Sequence, residues 1–406
     1  MTSCSTCCTP RRDEGTWLHS ADAADSRSLP ASPGDVIQGV LQVSGRGGHI
    51  RRREAGYLPQ GGDIRVDDRV IRQYGLRSGD DVAGEARNGK GGGALESVAT
   101  INGRPAAEAA DRPEFQNLSA IHPNEPLRLE CGLVRQGQAD QTNRIIDLLC
   151  PLGKGQRALI VAPAKAGKTM VLQAIAEGVS TNYPAASLFI LLVDERPEEV
   201  FEMESAGFGE VVASSFDNPP AQHVSVAELL LERARRRVEL GQDVVLVVDS
   251  ITRLARAYNA VVKGTGRTLS GGLDAQSLER PKRFFGSARK VDPKAGGGSL
   301  TIIATALIDT GSKMDQLIFE EFKGTGNSEL VLSRELAERR VYPAIDMIAS
   351  GTRKEELLLS EEALAASRKL RQRIARMTPL SAMNDLLVDL RRHPTNAALI
   401  GLLNAP

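Results

Sequence analysis

The sequence predicts an α/β protein, with a parallel sheet covered by helices on both faces and a small β-barrel ahead of it. Three observations lead there. Ala158 to Thr169 runs from an apolar strand through a loop with no bulky side chain into Lys168-Thr169 at the head of a helix. From Asn143 onward, continuous apolar strands take turns with helices, as strands buried on both faces must. Between Asp35 and about residue 110, short alternating strands are punctuated by glycine-rich turns, the pattern of a barrel.

Composition sets the outer limits. The 406 residues suffice for two domains, and 41% hydrophobic with 25% charged residues is ordinary for a globular protein. Lys+Arg and Asp+Glu both number 51, so any contact with nucleic acid must come from local basic surface and not from a global field. No apolar run approaches the ~20 residues of a membrane span, and the N-terminus lacks the hydrophobic segment of a signal peptide. A cytoplasmic protein without membrane contact is the expectation. Residues 1–34, rich in Ser, Asp, Arg and Pro, read as a disordered tail. Five cysteines, three of them at Cys4, Cys7 and Cys8, argue against a disulfide framework. Incidental thiols are the simpler reading of that trio, and zinc binding lacks a second ligand pair.

Residues 35–110 form the barrel region, with strands expected at Val36–Val43, Ile64–Val66 and Asp81–Glu85 and turns at Gly45–Gly48, Gly61-Gly62 and Gly89–Gly93. Such barrels often bind single-stranded nucleic acid by stacking bases on aromatic side chains. Aromatics are scarce here. His49 and Tyr57 are the best candidates, with Arg46 and the run Arg51-Arg52-Arg53 adding charge; a merely solvated run is the other reading. Residues 111–142 connect to the larger domain, 143–406. There, strands are expected at Ala158–Val161, Leu188–Val193, Val244–Val248, Leu300–Leu307 and Leu330–Ser333. Helices are expected at Met170–Gly178, Val224–Leu240, Glu361–Met377 and Ser381–Leu403, with Arg233 to Arg237 on a solvated helix face.

The motifs point to nucleotide hydrolysis. Lys165-Ala166-Gly167-Lys168-Thr169-Met170 has P-loop spacing, with Ala162 where the pattern expects its first glycine. Backbone N–H groups and a helix N-terminus suit a polyphosphate, Lys168 reaches its end and the Thr169 hydroxyl can hold Mg²⁺. The strand Val244–Asp249 ends in a carboxylate that can support the same ion. Leu188–Glu195 delivers Glu195 to that edge as a candidate base for water; capping the helix at Arg196-Pro197 is its alternative. Arg340 and Arg353 follow the last strand, as transition-state arginines or as surface ion pairs. Two glycine-bearing loops, Lys263–Gly272 and Asp309–Asp315, either grip a phosphate backbone or simply connect.

These residues resemble the bacterial Rho transcription termination family. The strings that carry the likeness include Leu159–Thr169, Asp194-Glu-Arg-Pro-Glu-Glu-Val200, Asp249–Asn259, Arg280–Gly286, Ile308–Asp315, Glu321–Asn327 and Ser350-Gly-Thr-Arg353. The resemblance implies a RecA-like P-loop motor behind an OB-fold/cold-shock-like barrel, assembled as a homohexameric ring. It implies an RNA-dependent ATPase and helicase, using ATP and Mg²⁺, that frees nascent RNA from RNA polymerase. Residue by residue, it implies that Lys165, Lys168 and Thr169 bind phosphate and metal, that Glu195 activates water and that Asp249 supports the ion. Arg353 becomes a finger reaching a neighbour's ATP, Arg340 a second interface arginine, and Tyr342 the aromatic under adenine. The loops carrying Arg267 and Thr268, and Lys313, become those that pull RNA through the ring.

The barrel departs from the family. Where the family has a strand of alternating glycine and aromatic residues, this chain reads Gly45-Arg-Gly-Gly-His-Ile-Arg-Arg52, and Lys90-Gly-Gly-Gly-Ala-Leu95 replaces a second aromatic strand. Lost stacking, worth ~1–3 kcal/mol per base, predicts weaker capture of transcripts. Tyr57 and Arg51 are the remaining candidates for barrel contacts. The rival functions are another RecA-like ring ATPase and a non-terminating regulator.

Overall fold

The computed structural model describes residues 36–87, 93–109, 112–132, 134–135, 138–261, 272–274 and 276–405. The cysteine-bearing tail, Lys90–Gly92, and Arg267 with Thr268 lie outside them.

Five strands build the barrel: β1 (Val36–Ser44), β2 (Gly47–Arg51), β3 (Ile64–Asp67), β4 (Asp81–Arg87) and β5 (Ala94–Ile101), with helix α1 (Asp68–Tyr74) between β3 and β4. Their order is β3-β2-β1-β4-β5, and a bridge from Arg65 to Ala94 closes the ring. Inward positions Leu41, Ile50, Val66, Val82, Leu95 and Ile101 form its core. The Gly45–Gly48 turn is shorter than expected, because Gly47 and Gly48 pair with β1 as part of β2. Short pairings follow as β6 (Arg104–Pro105), β7 (Ala120–Ile121), β8 (Val134–Arg135) and β9 (Gln138–Ala139), leading to helix α2 (Gln141–Leu149).

The larger body alternates β10 (Arg157–Pro163), α3 (Lys168–Asn182), β11 (Ser187–Glu195), α4 (Pro197–Ala206), β12 (Glu210–Ser215), α5 (Pro220–Glu239), β13 (Asp243–Asp249), α6 (Ile251–Val261), α7 (Glu279–Phe285), β14 (Arg289–Val291), β15 (Ser299–Ile308), α8 (Lys313–Lys323), β16 (Ser328–Val331), α9 (Arg334–Glu338) and β17 (Gly351–Thr352). Strand order is β12-β11-β13-β15-β10-β16-β17, parallel as far as β16, with β17 antiparallel at the edge. Alternate residues of β10 serve opposite cores: Ala158, Ile160 and Ala162 face one apolar cluster, Leu159 and Val161 the other. That is the two-sided burial inferred from the unbroken apolar runs. The C-terminal segment forms α10 (Glu361–Ile374), α11 (Pro379–Arg392) and α12 (Asn396–Asn404). One helix over Ser381–Leu403 was expected. Pro394 has no N–H to continue α11, and Thr395 caps a new helix by accepting from the Ala398 N–H.

The arginines of α5 are not solvated as expected. Arg233 and Arg236 are each 7% exposed, because α5 is where the barrel docks. Arg233 donates to the Tyr57 hydroxyl at 2.6 Å and pairs with Glu210, while Tyr57 itself donates to Glu210. Burial, opposed by Arg233, raises the Tyr57 pKa. Lower down, Glu239 accepts from the Phe115 N–H at 2.8 Å and pairs with Arg236 at 3.0 Å and Arg77 at 3.3 Å; Arg112 bridges it to Asp80 of the barrel. Gly79 fits here because a Cβ would lie 2.3 Å from the carbonyl carbon of Glu232. Removing one member of a buried ion cluster strands the others, at a cost of about 3–5 kcal/mol. Glu239→Ala is therefore expected to lower the unfolding free energy measured by urea titration by that amount; a loss under about 1 kcal/mol would contradict the network's role.

Candidate nucleotide and RNA site

The site is built at the carboxyl edge of the parallel sheet, where β10, β11, β13 and β15 all end. β10 stops at Pro163 and the chain turns through Ala164–Gly167, with Lys165 and Gly167 at φ +64° and +87°. Ala162, at the position of the missing glycine, is fully buried inside β10, so the turn begins after it. No side chain caps α3, so its first N–H groups stay available for an anion. Gly167 passes Tyr342 closely: a Cβ there would sit 3.5 Å from the tyrosine ring. Lys165 and Met170 are exposed, Ala166 is buried and Thr169 is half-buried.

Lys168 Nζ lies 3.0 Å from Glu195 Oε1 and 2.7 Å from Asp249 Oδ1. The two carboxylates arrive on strands paired side by side, Leu192 opposite Asp249. Thr305, in the middle of β15, donates to Asp249 Oδ1 at 2.7 Å. Arg253, on α6, reaches Asp194 Oδ2 at 3.1 Å and lies 3.5 Å from Glu195. Burial and the Asp249 charge push the Glu195 carboxyl up to about 7 against the pull of Lys168. Burial works against the Lys168 charge, yet Asp249 and Glu195 together raise its pKa. Glu195 does not cap α4: that helix starts on Arg196 with no side-chain cap.

Three participants escaped the sequence reading. Thr305 was hidden in an apolar run. Arg253 and Arg256 stand three residues apart on α6, a spacing that puts both on one face and could have flagged them. Arg256 makes a two-pronged contact with Asp315, at 2.7 and 2.6 Å, and Thr310 donates to the same carboxylate at 2.6 Å. This pins the start of α8, where Lys313 projects exposed from the first turn.

Arg353 is not near the Lys168 of its own chain. Ser328 pairs with both Ala158 and Thr352, so Arg353 lies level with the beginning of β10. Pro163 is five residues further along, about 17 Å at ~3.3 Å per residue, at the opposite edge of the sheet. Arg353 is exposed, and its charge joins burial in lowering the pKa of Arg157. Arg340 is exposed two residues before Tyr342.

Two expected barrel contacts are corrected. Tyr57 is 3% exposed and faces α5, so no base can stack on it. Arg51 pairs with Asp63 and donates to Gln42 at 2.7 Å, its side chain only 12% exposed, so its guanidinium is committed inside the protein.

Comparison with known proteins agrees with this geometry. The family model for the nucleotide-binding domain of the ATP synthase alpha/beta family matches residues 142–352, and that for the Rho termination factor RNA-binding domain matches 37–107. A transcription termination factor Rho of Gemmatimonas aurantiaca is 51% identical over 385 residues, 94% of this chain and 52% of the relative, so this chain spans about half of that relative's length. One from Pseudomonas aeruginosa is 50% identical over 90% of this chain and 88% of its own. A solved ATPase from the type III secretion system of pathogenic bacteria shares the fold at TM-score 0.56 and 23% identity, over 70% of this chain and 85% of that one. The chain belongs to the transcription termination factor Rho family and carries the nucleotide-binding domain of the ATP synthase alpha/beta family.

Proposed function

We propose that the chain is an RNA-dependent ATPase that works as a homohexameric ring in the cytoplasm. It draws nascent RNA through its centre and so releases it from RNA polymerase, terminating transcription. Residues 35–110 serve as the RNA-binding unit and 143–406 as the motor. The observation that carries the reading is the line from Lys168, Glu195 and Asp249 through Arg253 and Arg256 of α6 to the loop bearing Lys313. The match to an RNA-binding domain favours RNA over the substrates of other ring motors, and no described helix is long and apolar enough to cross a membrane.

At the site, the N–H groups of Lys165–Met170 and the Lys168 ammonium bind the phosphates of ATP. Thr169 and Asp249 offer hard oxygen donors, the set Mg²⁺ takes, and would hold it; when bound it neutralises charge on the phosphates. Glu195, with its raised pKa, takes a proton from the attacking water. Tyr342 supports the adenine. Arg353 faces away from its own site, so it completes that of a neighbour, with Arg340 as a second interface arginine. Lys313, with Arg267 and Thr268, engages the RNA backbone.

ATP hydrolysis is expected to rise manyfold with single-stranded RNA and not with DNA, and Lys168→Ala to abolish it; turnover indifferent to RNA would refute the function. Mixing Arg353→Ala with Lys168→Ala subunits should restore single-turnover hydrolysis that neither variant has alone, since intact lysine and arginine then meet across some interfaces. No recovery in mixed rings would count against a shared site. Arg256→Ala should leave nucleotide affinity within about threefold while removing most of the RNA stimulation, as loss of one two-pronged contact frees the Lys313 loop. Undiminished stimulation would rule out α6 as the link.

A further inference from the structure

Beside α2, four segments enclose a cavity of about 300 Å³: the connector at 126–130, α2 itself, the stretch 358–363 leading into α10, and the first turns of α12. It lies on the side where β10 begins, away from the phosphate loop, since its lining residues Pro151 and Leu152 come just before that strand. The volume is at the small end of the range of ligand pockets, ~300–1,000 Å³. Its walls are aliphatic. Leu127, Leu148, Leu152, Leu358 and Ile400 line it, and no aromatic ring does. A cation held here has no π-face to rest on and needs a carboxylate.

Asp147, half-buried on α2, presents one to the cavity. The Leu129 N–H donates to both of its oxygens, at 3.0 and 2.9 Å, and the Glu130 N–H to one of them at 2.8 Å. These contacts fix the group and still leave it acceptor capacity. Among the described residues no ion pair reaches it. Arg144, one turn earlier on α2, is committed elsewhere, to Glu130 at 3.4 Å and to the carbonyls of Leu390 and His393. Burial, aided by the Glu130 charge, lifts the Asp147 carboxyl up to about 7 against the pull of the two N–H groups and Arg128. Around it the connector contributes Glu130 and the exposed Arg128, α10 the exposed Glu362, and α12 the uncharged Asn396. Asp147 is thus an acid held in place without a counter-ion, in acidic surroundings, at the wall of an apolar cavity.

We propose that this cavity binds a small aliphatic amine, its ammonium group against Asp147 and its chain along the leucines and Ile400. Neutral molecules of the same shape gain only the apolar contact, and anions meet Asp147 and Glu130 unfavourably. Binding requires the ionised carboxylate, so it strengthens as pH rises through the Asp147 titration.

The test is isothermal titration calorimetry of the full-length protein with n-hexylamine, 1-hexanol and hexanoate, which share one chain length and differ in charge. Above the Asp147 titration, hexylamine is expected to bind about tenfold or more tighter than hexanol, the worth of a hydrogen bond to a charged group, and hexanoate more weakly than either. Between about pH 8 and pH 6 the amine should lose about tenfold in affinity as Asp147 takes up its proton, with hexanol unchanged. Asp147→Asn keeps an acceptor for the backbone N–H groups and should bring the amine to the level of the alcohol. Ala397→Trp, at an exposed position on the rim, should weaken amine and alcohol alike by closing the entrance. Equal affinities of amine and alcohol in the unaltered protein, or an amine advantage that survives Asp147→Asn, would overturn the proposal. Binding undisturbed by Ala397→Trp would overturn it too, by putting the ligand elsewhere. If Asp147→Asn does not fold, the unaltered protein still decides: an amine affinity that is flat across that pH range rejects Asp147 as its partner.

Discussion

Two carboxylates brought together at the end of an apolar sheet impose the constraint on which the rest of the molecule turns. Glu195 and Asp249 are each 2% exposed, and their strands are neighbours. Like charges so placed cannot both ionise without cations nearby. Lys168 supplies one cation, Arg253 a second, and Thr305 a hydroxyl donor. The same three groups suit a polyphosphate and its water, because a lysine held between carboxylates is already positioned and charged at the phosphate loop. Stability of the empty edge and chemistry at the loaded one thus draw on the same residues.

The constraint also explains why α6 matters. It begins two residues after Asp249, so any shift at the carboxylate edge reaches its first turn directly. Arg253 ties that turn to Asp194 and Glu195, and Arg256 ties the next to Asp315 and the Lys313 loop. A short helix with one arginine toward the carboxylates of the phosphate-loop edge and one toward the Lys313 loop joins the two by direct contacts. On the far side, Arg353 sits about 17 Å along the strands from its own phosphate loop, at the opposite edge of the sheet from Lys168, Glu195 and Asp249.

Much of this was legible in the residues themselves. The apolar runs announced a sheet buried on both faces, and Ala158–Thr169 announced the loop at its edge, because burial and phosphate geometry leave strong local signatures. Thr305 left none, and the spacing of Arg253 and Arg256 gave a face without a partner: the groups that Thr305 and Arg256 contact lie 56 and 59 residues away in sequence, and only the fold brings them together. The arginines of α5 were misread for a related reason. Charge at helical spacing normally faces water, and nothing local says that a barrel's Tyr57, Asp80 and Asp81 will cover it. Strand β12, short and half polar, gave no clear period, yet it carries Glu210 to that interface.

Those buried contacts bear on what the barrel is for. A domain retained only as a passive appendage needs no cluster of Arg77, Arg112, Arg236 and Glu239 beneath it, nor a glycine shaved to fit α5. Buried charge is costly to assemble and weak as a source of net stability, so its use here points to fixed orientation. β12 runs from the barrel interface toward the nucleotide edge and α5 runs back: Glu210 opens the strand beneath Tyr57, Ser215 closes it beside Glu195, His223 near the start of α5 meets Ser214, and Glu239 at its end joins the barrel cluster. Rigid docking of the barrel on α5 therefore ties its orientation to the strand and the helix that meet the nucleotide edge.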